Sequence, residues 1–520
     1  MSDAAEFVGP TVRKGVAAER LATADAGSST SRPKRVTILW RYGDVAVHLA
    51  LVGVVAGTWR YSEDPLLTLY LGGFLVAPVY LGLTAFEMRR SPVLVSPLSF
   101  YFFWYSVGLG LAALSIAGRV AGRDLILLAS YEVRPEQLAS GYVLMLLGSV
   151  AFHFGVQITR PLDRQSPAIS GVTREGSRRY PRLLLFIWAV GVAARLFGSP
   201  TTMAGALFGI VIWASNAALC AYCLSTSRSK PRLSWAILVL GCLAELACNL
   251  QSSSKAYIMY SFFPIVWTFT FFRSYRIWLI PIGAALILFY LGIVAPVVTV
   301  AREDGSLSEG ETYAGRLLKH YGQNGLADAN LGLQVERLFE RQFDPISTGF
   351  IHGEVEKYGF LYGDELDYLA YAFIPRLFWP EKPTVTRGAW FTVYLGGAST
   401  EAQATSATAL TAAGELYWNF GTWGVIAGMV LVGTLVGLMW RVAGASPQVD
   451  PLRMLVYFNC IIAVVDNAEC GVMAVGIVHR ILLLGSVIWL WDLRIRRLAA
   501  ERLSPAPQAW DQPIRTALSR

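Results

Sequence analysis

LLTLYLGGFLVAPVYLGLTAF, Leu66 to Phe86, contains no Asp, Glu, Lys or Arg. As a helix rising about 1.5 Å per residue, a run of roughly 20 such residues crosses the hydrocarbon core of a bilayer. Comparable blocks run from Leu94 to Gly118, Leu138 to Ile158, Met203 to Leu224, Trp278 to Val300 and Met473 to Leu493. The short alternating segments of a membrane β-barrel are absent from the sequence. Charged residues make up only 15% of the 520, too few to coat a soluble protein of this length, and mean hydropathy is +0.46.

Working outward from these blocks, the expected fold is all-α and polytopic, with twelve transmembrane helices. Their expected limits are 43–60, 66–86, 94–117, 138–158, 183–198, 203–224, 233–250, 256–272, 277–300, 412–437, 452–469 and 473–493. The net charge of +8 lies in short basic clusters between apolar blocks, such as Arg89 and Arg90, Arg178 and Arg179, and Arg496 and Arg497. That distribution reads as cytoplasmic anchoring and gives no support to nucleic-acid binding. It places both termini in the cytoplasm. Residues 1–42, rich in Ala, Ser, Thr and charge, form a disordered tail without a cleavage site, and 494–520 form a second tail. Spans one to nine fill 43–300, a loop fills 301–411, and the last three spans fill 412–493.

The loop then lies outside the cytoplasm. It carries 15 acidic and 9 basic residues, a net of −6 within a chain of +8. Leu331, Val335, Leu338 and Phe339 recur at helical spacing, so part of it is an amphipathic helix. The run Leu366 to Leu377 is too short to span and is stopped by Pro375, which suits an interfacial or re-entrant piece. Gly424 with Gly428, and Gly433 with Gly437, have the spacing of close helix packing.

Ionisable groups in or beside spans carry a cost unless paired or hydrated. Glu245 and Glu469 are such groups, and helix packing or an interfacial place competes with function for each. Lys255, at the start of the eighth span, is placed to grip phosphate or to snorkel. Among the His residues, His48, His153 and His479 read as core or interface. His352, in the loop beside Glu354, is a candidate proton acceptor near neutral pH. Arg302, Arg376, Lys382 and Arg387 are the cations of the acidic loop that suit phosphate oxygens. Glu415 and Asn419, four apart, share a helical face at the start of the tenth span. Trp379 and Tyr417 suit sugar stacking or the interfacial aromatic belt. Walker A, GxGxxG, HExxH and GxSxG sequences are missing, as is any metal-ligand cluster. Cys220 and Cys223 have CxxC spacing inside an apolar block, where two small hydrophobes are the simpler reading.

The segments Phe373 to Pro383, with its PRxxWPxKP-like pattern, and Ala413 to Gly421, with its GELYxNFG-like pattern, resemble those of bacterial O-antigen and exopolysaccharide polymerases, the oligosaccharide repeat-unit polymerases. The resemblance implies a GT-C-like membrane glycosyltransferase, related in architecture to the O-antigen ligases. Its substrate would be an undecaprenyl-diphosphate-linked repeat unit at the periplasmic face of the bacterial inner membrane. No cofactor or metal is implied; a chain-length regulator and a flippase would be its protein partners. Carried onto this chain, Arg376 and Lys382 become contacts to the diphosphate or acceptor, with Arg302 and Lys255 behind them. Glu415 becomes the residue that orients the acceptor sugar or takes its proton, with His352 competing for that role. O-antigen ligase chemistry and polysaccharide or lipid transport are the alternatives.

Overall fold

A computed structural model describes residues 34–91, 93–122, 132–160, 181–197, 205–227, 229–250, 255–271, 277–295, 322, 331–372, 374, 379, 381–382, 387–401, 404, 408–444, 451–465 and 469–503. The chain divides into two compact units, Met1–Val47 and His48–Arg520. In the first, the described residues belong to the opening turns of helix α1 (Lys34–Tyr61).

The second unit continues through α2 (Pro65–Arg90), α3 (Pro97–Ala121), α4 (Pro135–Thr159), α5 (Pro181–Phe197), α6 (Gly205–Thr226) and α7 (Pro231–Asn249). Next come α8 (Lys255–Tyr260), α9 (Phe263–Phe271) and α10 (Leu279–Phe289). The loop region contributes α11 (Leu331–Gln342), α12 (Pro345–Tyr358), α13 (Tyr368–Ala372) and α14 (Gly388–Tyr394). The chain closes with α15 (Ala412–Ala443), α16 (Pro451–Ala463) and α17 (Cys470–Leu503). The described residues form no strand. Pro65, Pro97, Pro135, Pro181, Pro231, Pro345 and Pro451 each open a helix. There the missing N–H costs nothing and the fixed φ is already helical.

Seven stretches are long and apolar enough to cross a membrane: Tyr42–Tyr61, α2, α3, α4, α7, α15 and Met473–Arg494 within α17. This is an all-α membrane protein with seven such helices among its described residues, where twelve spans were expected. The other five expected spans are helical over most of their described residues: α6 covers Gly205–Thr226, while Pro181–Ala194, Ile258–Phe271, Leu279–Val294 and Leu452–Ala463 are short. The expected eighth span is cut between α8 and α9. There Ser261 and Phe262 bond to the carbonyls of Ile258 and Met259, a tight i to i+3 turn, and Pro264 has no N–H to continue the ladder. The amphipathic loop helix is present as α11, and Arg119 of α3 pairs with its Glu340. Cys223 and Cys242 pack with Leu219 and Leu238 in one apolar cluster, as small hydrophobes do.

α4 is the interior helix: 89% of its span window is buried, against 28–61% in the other six. It touches α15 backbone to backbone. A Cβ added at Gly433 would strike the Phe152 carbonyl, and one added at Gly155 would strike the Val430 carbonyl. Gly433 and Gly437 therefore do serve helix packing.

A row of hydrogen bonds follows the same helix. Arg160 donates to Glu87 (2.9 Å) and to Gln157 Oε1 (3.1 Å). Because Arg can only donate, Gln157 must turn its amide nitrogen toward His153 Nε2, 3.2 Å away. His153 is then protonated on Nδ1 and gives that proton to His48 Nδ1 at 3.3 Å. His48 Nε2–H in turn donates to Tyr80 (2.7 Å), and Tyr80 and Tyr101 both donate to Ser149 at 2.8 Å. His48 and His153 thus have the core role read from the sequence, and the donors run from Arg160 to Ser149, where Tyr101 meets them from the other side.

Candidate functional site

α15 is not one helix. At Gly421 the backbone takes φ +65°, ψ −161°, a combination essentially reserved for Gly. The half-helix 412–420 folds back on 422–443, so that Gly424 and Gly428 face Leu416 of their own chain. The close packing predicted for this Gly pair is thus internal to the segment. Breaking a helix frees carbonyls, and here Leu361 N–H takes that of Trp418 (3.0 Å) and Tyr362 N–H that of Asn419 (3.1 Å). Asn419 completes the latch: its Oδ1 accepts from Gly363 N–H (3.0 Å), and its amide donates to the Glu415 carbonyl (2.9 Å). Thr411 starts the half-helix by accepting from Gly414 N–H.

This fold-back carries Glu415 to a small cleft of about 10 Å³ lined by Leu361, Arg387, Trp390, Leu410, Trp418 and Asn419 as well. Glu415 is buried, and both carboxylate oxygens are held. Tyr368 donates its hydroxyl to Oε1 at 2.7 Å, and Gly471 N–H donates to Oε2 at 3.1 Å. Gly471 lies in the first turn of α17, where the helix dipole favours a negative charge. Burial, then the neighbouring Glu415 and Glu469 carboxylates, push the Tyr368 phenol far up, so Tyr368 stays a donor. The Arg387 guanidinium lies over the rings of Tyr368 (5.2 Å) and Trp390 (5.4 Å) and bonds to Asp367 (3.1 Å). Its own N–H bonds to Glu469 at 3.1 Å.

Of the residues singled out in the sequence, the structure brings Glu415, Asn419 and Arg387 together. Lys382 is elsewhere occupied: it is buried, and its ammonium donates to the carbonyls of Ala372 (2.8 Å) and Ile374 (2.9 Å), closing the end of α13. That commitment makes it a clamp on the main chain, away from Glu415. Trp379 is partly exposed beside Tyr371. Arg302 and Arg376 lie outside the described residues, and the side chain of Lys255 does too.

His352 is on the other side of the half-helix. It stacks on Tyr417 at 5.5 Å and 7°, and Tyr417, two residues from Glu415, points away from the cleft. Its role as a base competing with Glu415 for one substrate finds no geometric support. Burial lowers the His352 pKa, Arg134 lowers it further, and Glu356 opposes both. A His whose folded pKa lies below its unfolded value gives stability that is complete above about pH 6.5 and is lost as pH falls through the folded pKa. Acidifying from pH 7 toward 5 should therefore lower the melting temperature of the wild type more than that of His352→Gln. Equal shifts in the two proteins would remove His352 from the titrating groups.

Sequence reasoning missed Tyr368, Trp390 and Trp418, and met Glu469 only as an end-of-span carboxylate. No local pattern marks them, since Tyr368 reaches Glu415 across 47 positions and Glu469 reaches Arg387 across 82.

Fold and site together define an all-α membrane protein with an aromatic, carboxylate-bearing cleft at a broken helix. The chain belongs to the family described as a domain of unknown function (DUF8712), which matches residues 124–445 and so takes in the interior helix, the loop and the broken helix. No curated protein and no solved structure matches the chain.

Proposed function

We propose that the protein is a membrane glycosyltransferase that polymerises lipid-diphosphate-linked oligosaccharide repeat units. The observation that carries this reading is Glu415, a buried carboxylate that faces a cleft walled by Trp390 and Trp418, on the half-helix bearing the GELYxNFG-like pattern. Indole faces suit the C–H faces of sugars, and a carboxylate suits their hydroxyls. In the proposed reaction the acceptor hydroxyl oxygen attacks the anomeric carbon of the donor. The bond from that carbon to the diphosphate oxygen breaks, and the lipid diphosphate leaves with the electron pair. Glu415 takes the hydroxyl proton; Arg387 and Asn419 hold the wall of the cleft in place. Arg376, carried over from the resemblance, is the cation proposed for the leaving diphosphate, where negative charge grows.

The same reading includes twelve membrane crossings in a GT-C-like arrangement, with the shorter apolar helices counted as spans. It puts both termini in the cytoplasm, the loop at the periplasmic face of a bacterial inner membrane, and no metal in the transfer step. A broken span is also a feature of transporters, where the freed backbone groups meet substrate or ion. Here the carbonyls of Trp418 and Asn419 are already taken by the 361–362 latch, which weighs against that use.

The test is turnover of purified protein given only the lipid-diphosphate-linked repeat unit. A ladder of longer glycans is expected from the wild type. Glu415→Gln keeps the shape of the site but cannot accept the proton, and should slow the ladder by roughly 10²- to 10⁴-fold. A wild-type protein that is inactive on an authenticated native substrate would sink the reading.

A further inference from the structure

Beside the break in α15 a group of large aromatic side chains is left uncovered. Trp423 is 80% exposed, Tyr358 and Tyr362 are 78% exposed, and Phe420 and Phe360 are 48% and 36% exposed. They come from two segments that the latch ties together. Leu361 and Tyr362 donate to the carbonyls of Trp418 and Asn419, the Phe420 ring stands beside Gly363, and the Phe360 ring stands beside Gly421 and edge-on to Tyr362 at 6.1 Å. Tyr362 also holds a left-handed φ of +53°, between Gly359 at +84° and Gly363 at +100°. For a bulky L-residue that conformation is an outlier, and here it accompanies a ring turned outward.

What covers this patch follows from the long half of α15. Trp423 heads a stripe that continues through Leu431 and Leu438, both exposed, whereas Val425, Val432, Val436 and Met439 are buried on the opposite face. Spacings of eight and seven residues keep the stripe on one side of the helix. On a membrane span, an exposed Leu stripe is the face turned to lipid. From Thr422 to Arg441 the helix rises about 30 Å, the thickness of the hydrocarbon core. With Arg441 at one boundary, the break at Gly421 therefore stands at the other. Trp and Tyr collect at that level, with the apolar ring among acyl chains and the polar tip among headgroups. Lys357 and Asp364, exposed on either side of the turn, give the patch a polar rim.

We infer that the 358–363 turn, although it belongs to the long loop, is seated in the lipid interface together with Phe420 and Trp423. The partner is the lipid surface itself, continuous with the lipid that covers Leu431 and Leu438. The turn then has two sides with two tasks. Its rings hold lipid, and its backbone N–H groups hold the carbonyls freed by the broken helix. The half-helix carrying Glu415 is in this way braced against the membrane surface. The contact rests on the geometry of the span and not on the glycosyl-transfer reading.

The experiment places a spin label at Tyr362→Cys, Tyr358→Cys or Leu431→Cys, one at a time, in the full chain reconstituted in phospholipid nanodiscs. Wild type treated in the same way is the blank for the native thiols, which are buried except for a half-buried Cys248. Collisions with oxygen, which concentrates in lipid, are compared with those of a water-soluble nickel chelate. The ratio at Leu431 sets the hydrocarbon value, and the free label in buffer sets the water value. At Tyr362 and Tyr358 the ratio is expected several-fold above the water value and below that of Leu431. Tyr358 lies at the end of α12, away from the left-handed position, and reports the same surface if Tyr362→Cys does not fold. A water value at the turn puts the patch in solution, open to a glycan, and overturns the inference. Low collision rates with both reagents mean that a second copy of the chain covers it, and overturn it equally.

Discussion

Arg160→Met is expected to destabilise the protein by about 3–5 kcal/mol, far more than loss of a surface ion pair, which costs about 0–1. The size follows from what the substitution leaves behind. Glu87 has no exposed surface, and Arg160, only 10% exposed, sits 2.9 Å from it. The longer contact from Arg90, 3.9 Å, cannot replace that bond without moving. Met keeps most of the apolar stem but loses the guanidinium that lies over the Trp440 ring at 5.5 Å, which adds about 0.5–2 kcal/mol to the effect. The pair itself need not be stabilising relative to a neutral one, since both charges had to be desolvated. The double variant Glu87→Gln with Arg160→Met should thus recover most of the loss, a coupling that chemical unfolding in a fixed detergent can measure. If Arg160→Met alone costs less than about 1 kcal/mol, the buried-pair account fails.

Gly421→Val should be as damaging, for a reason that lies in the backbone. At φ +65°, ψ −161° an L-residue is strained by about 1–3 kcal/mol before any contact is considered. The new Cβ would also stand 3.2 Å from the Phe360 ring. The cheapest escape is for 412–443 to straighten into one helix. That would carry Glu415 away from Tyr368 and Gly471 and break the 361–363 latch. The expected outcome is faster proteolysis of the loop and, on the proposed function, loss of the glycan ladder, while circular dichroism reports unchanged or slightly higher helix content. Full activity in Gly421→Val would mean that the break is not needed to build the cleft.

These two sites also show what could be read from the sequence. Apolar blocks such as 66–86 and 138–158 predict helices because the bilayer sets their length, and the 331–339 periodicity predicts α11 because one face must be covered. Neither signal reports where a helix is interrupted. Gly421 sits in a segment rich in Gly, where small residues ordinarily mean close packing, and Gly424 and Gly428 fit that expectation while packing against their own half-helix. Glu415, Asn419 and Arg387 were visible as polar groups near a membrane boundary. Their assembly was not, since it depends on Tyr368 and Glu469, partners far away in the chain. Lys382 shows the converse: a cation in a Pro-rich motif looks made for phosphate, yet unpaired carbonyls at a helix end compete for the same three donors.

The glycine-to-carbonyl contacts between α4 and α15 bear on how the molecule can move. Side chains that interdigitate can change rotamer and let two helices slide or roll past one another. Main-chain atoms in direct contact have no such freedom, because a shift along the axis drives a Cα into a peptide plane. The two helices therefore act as one rigid spar, and the broken end of α15 rests on it, since a Cβ added at Gly148 would lie 3.4 Å from Ala413. Since α12 also lies backbone to backbone on this spar, through Gly349 against Gly141, the loop is anchored to the same reference body as the cleft. Any opening beside the cleft must then come from elements off the spar, such as α10, none of whose residues is buried.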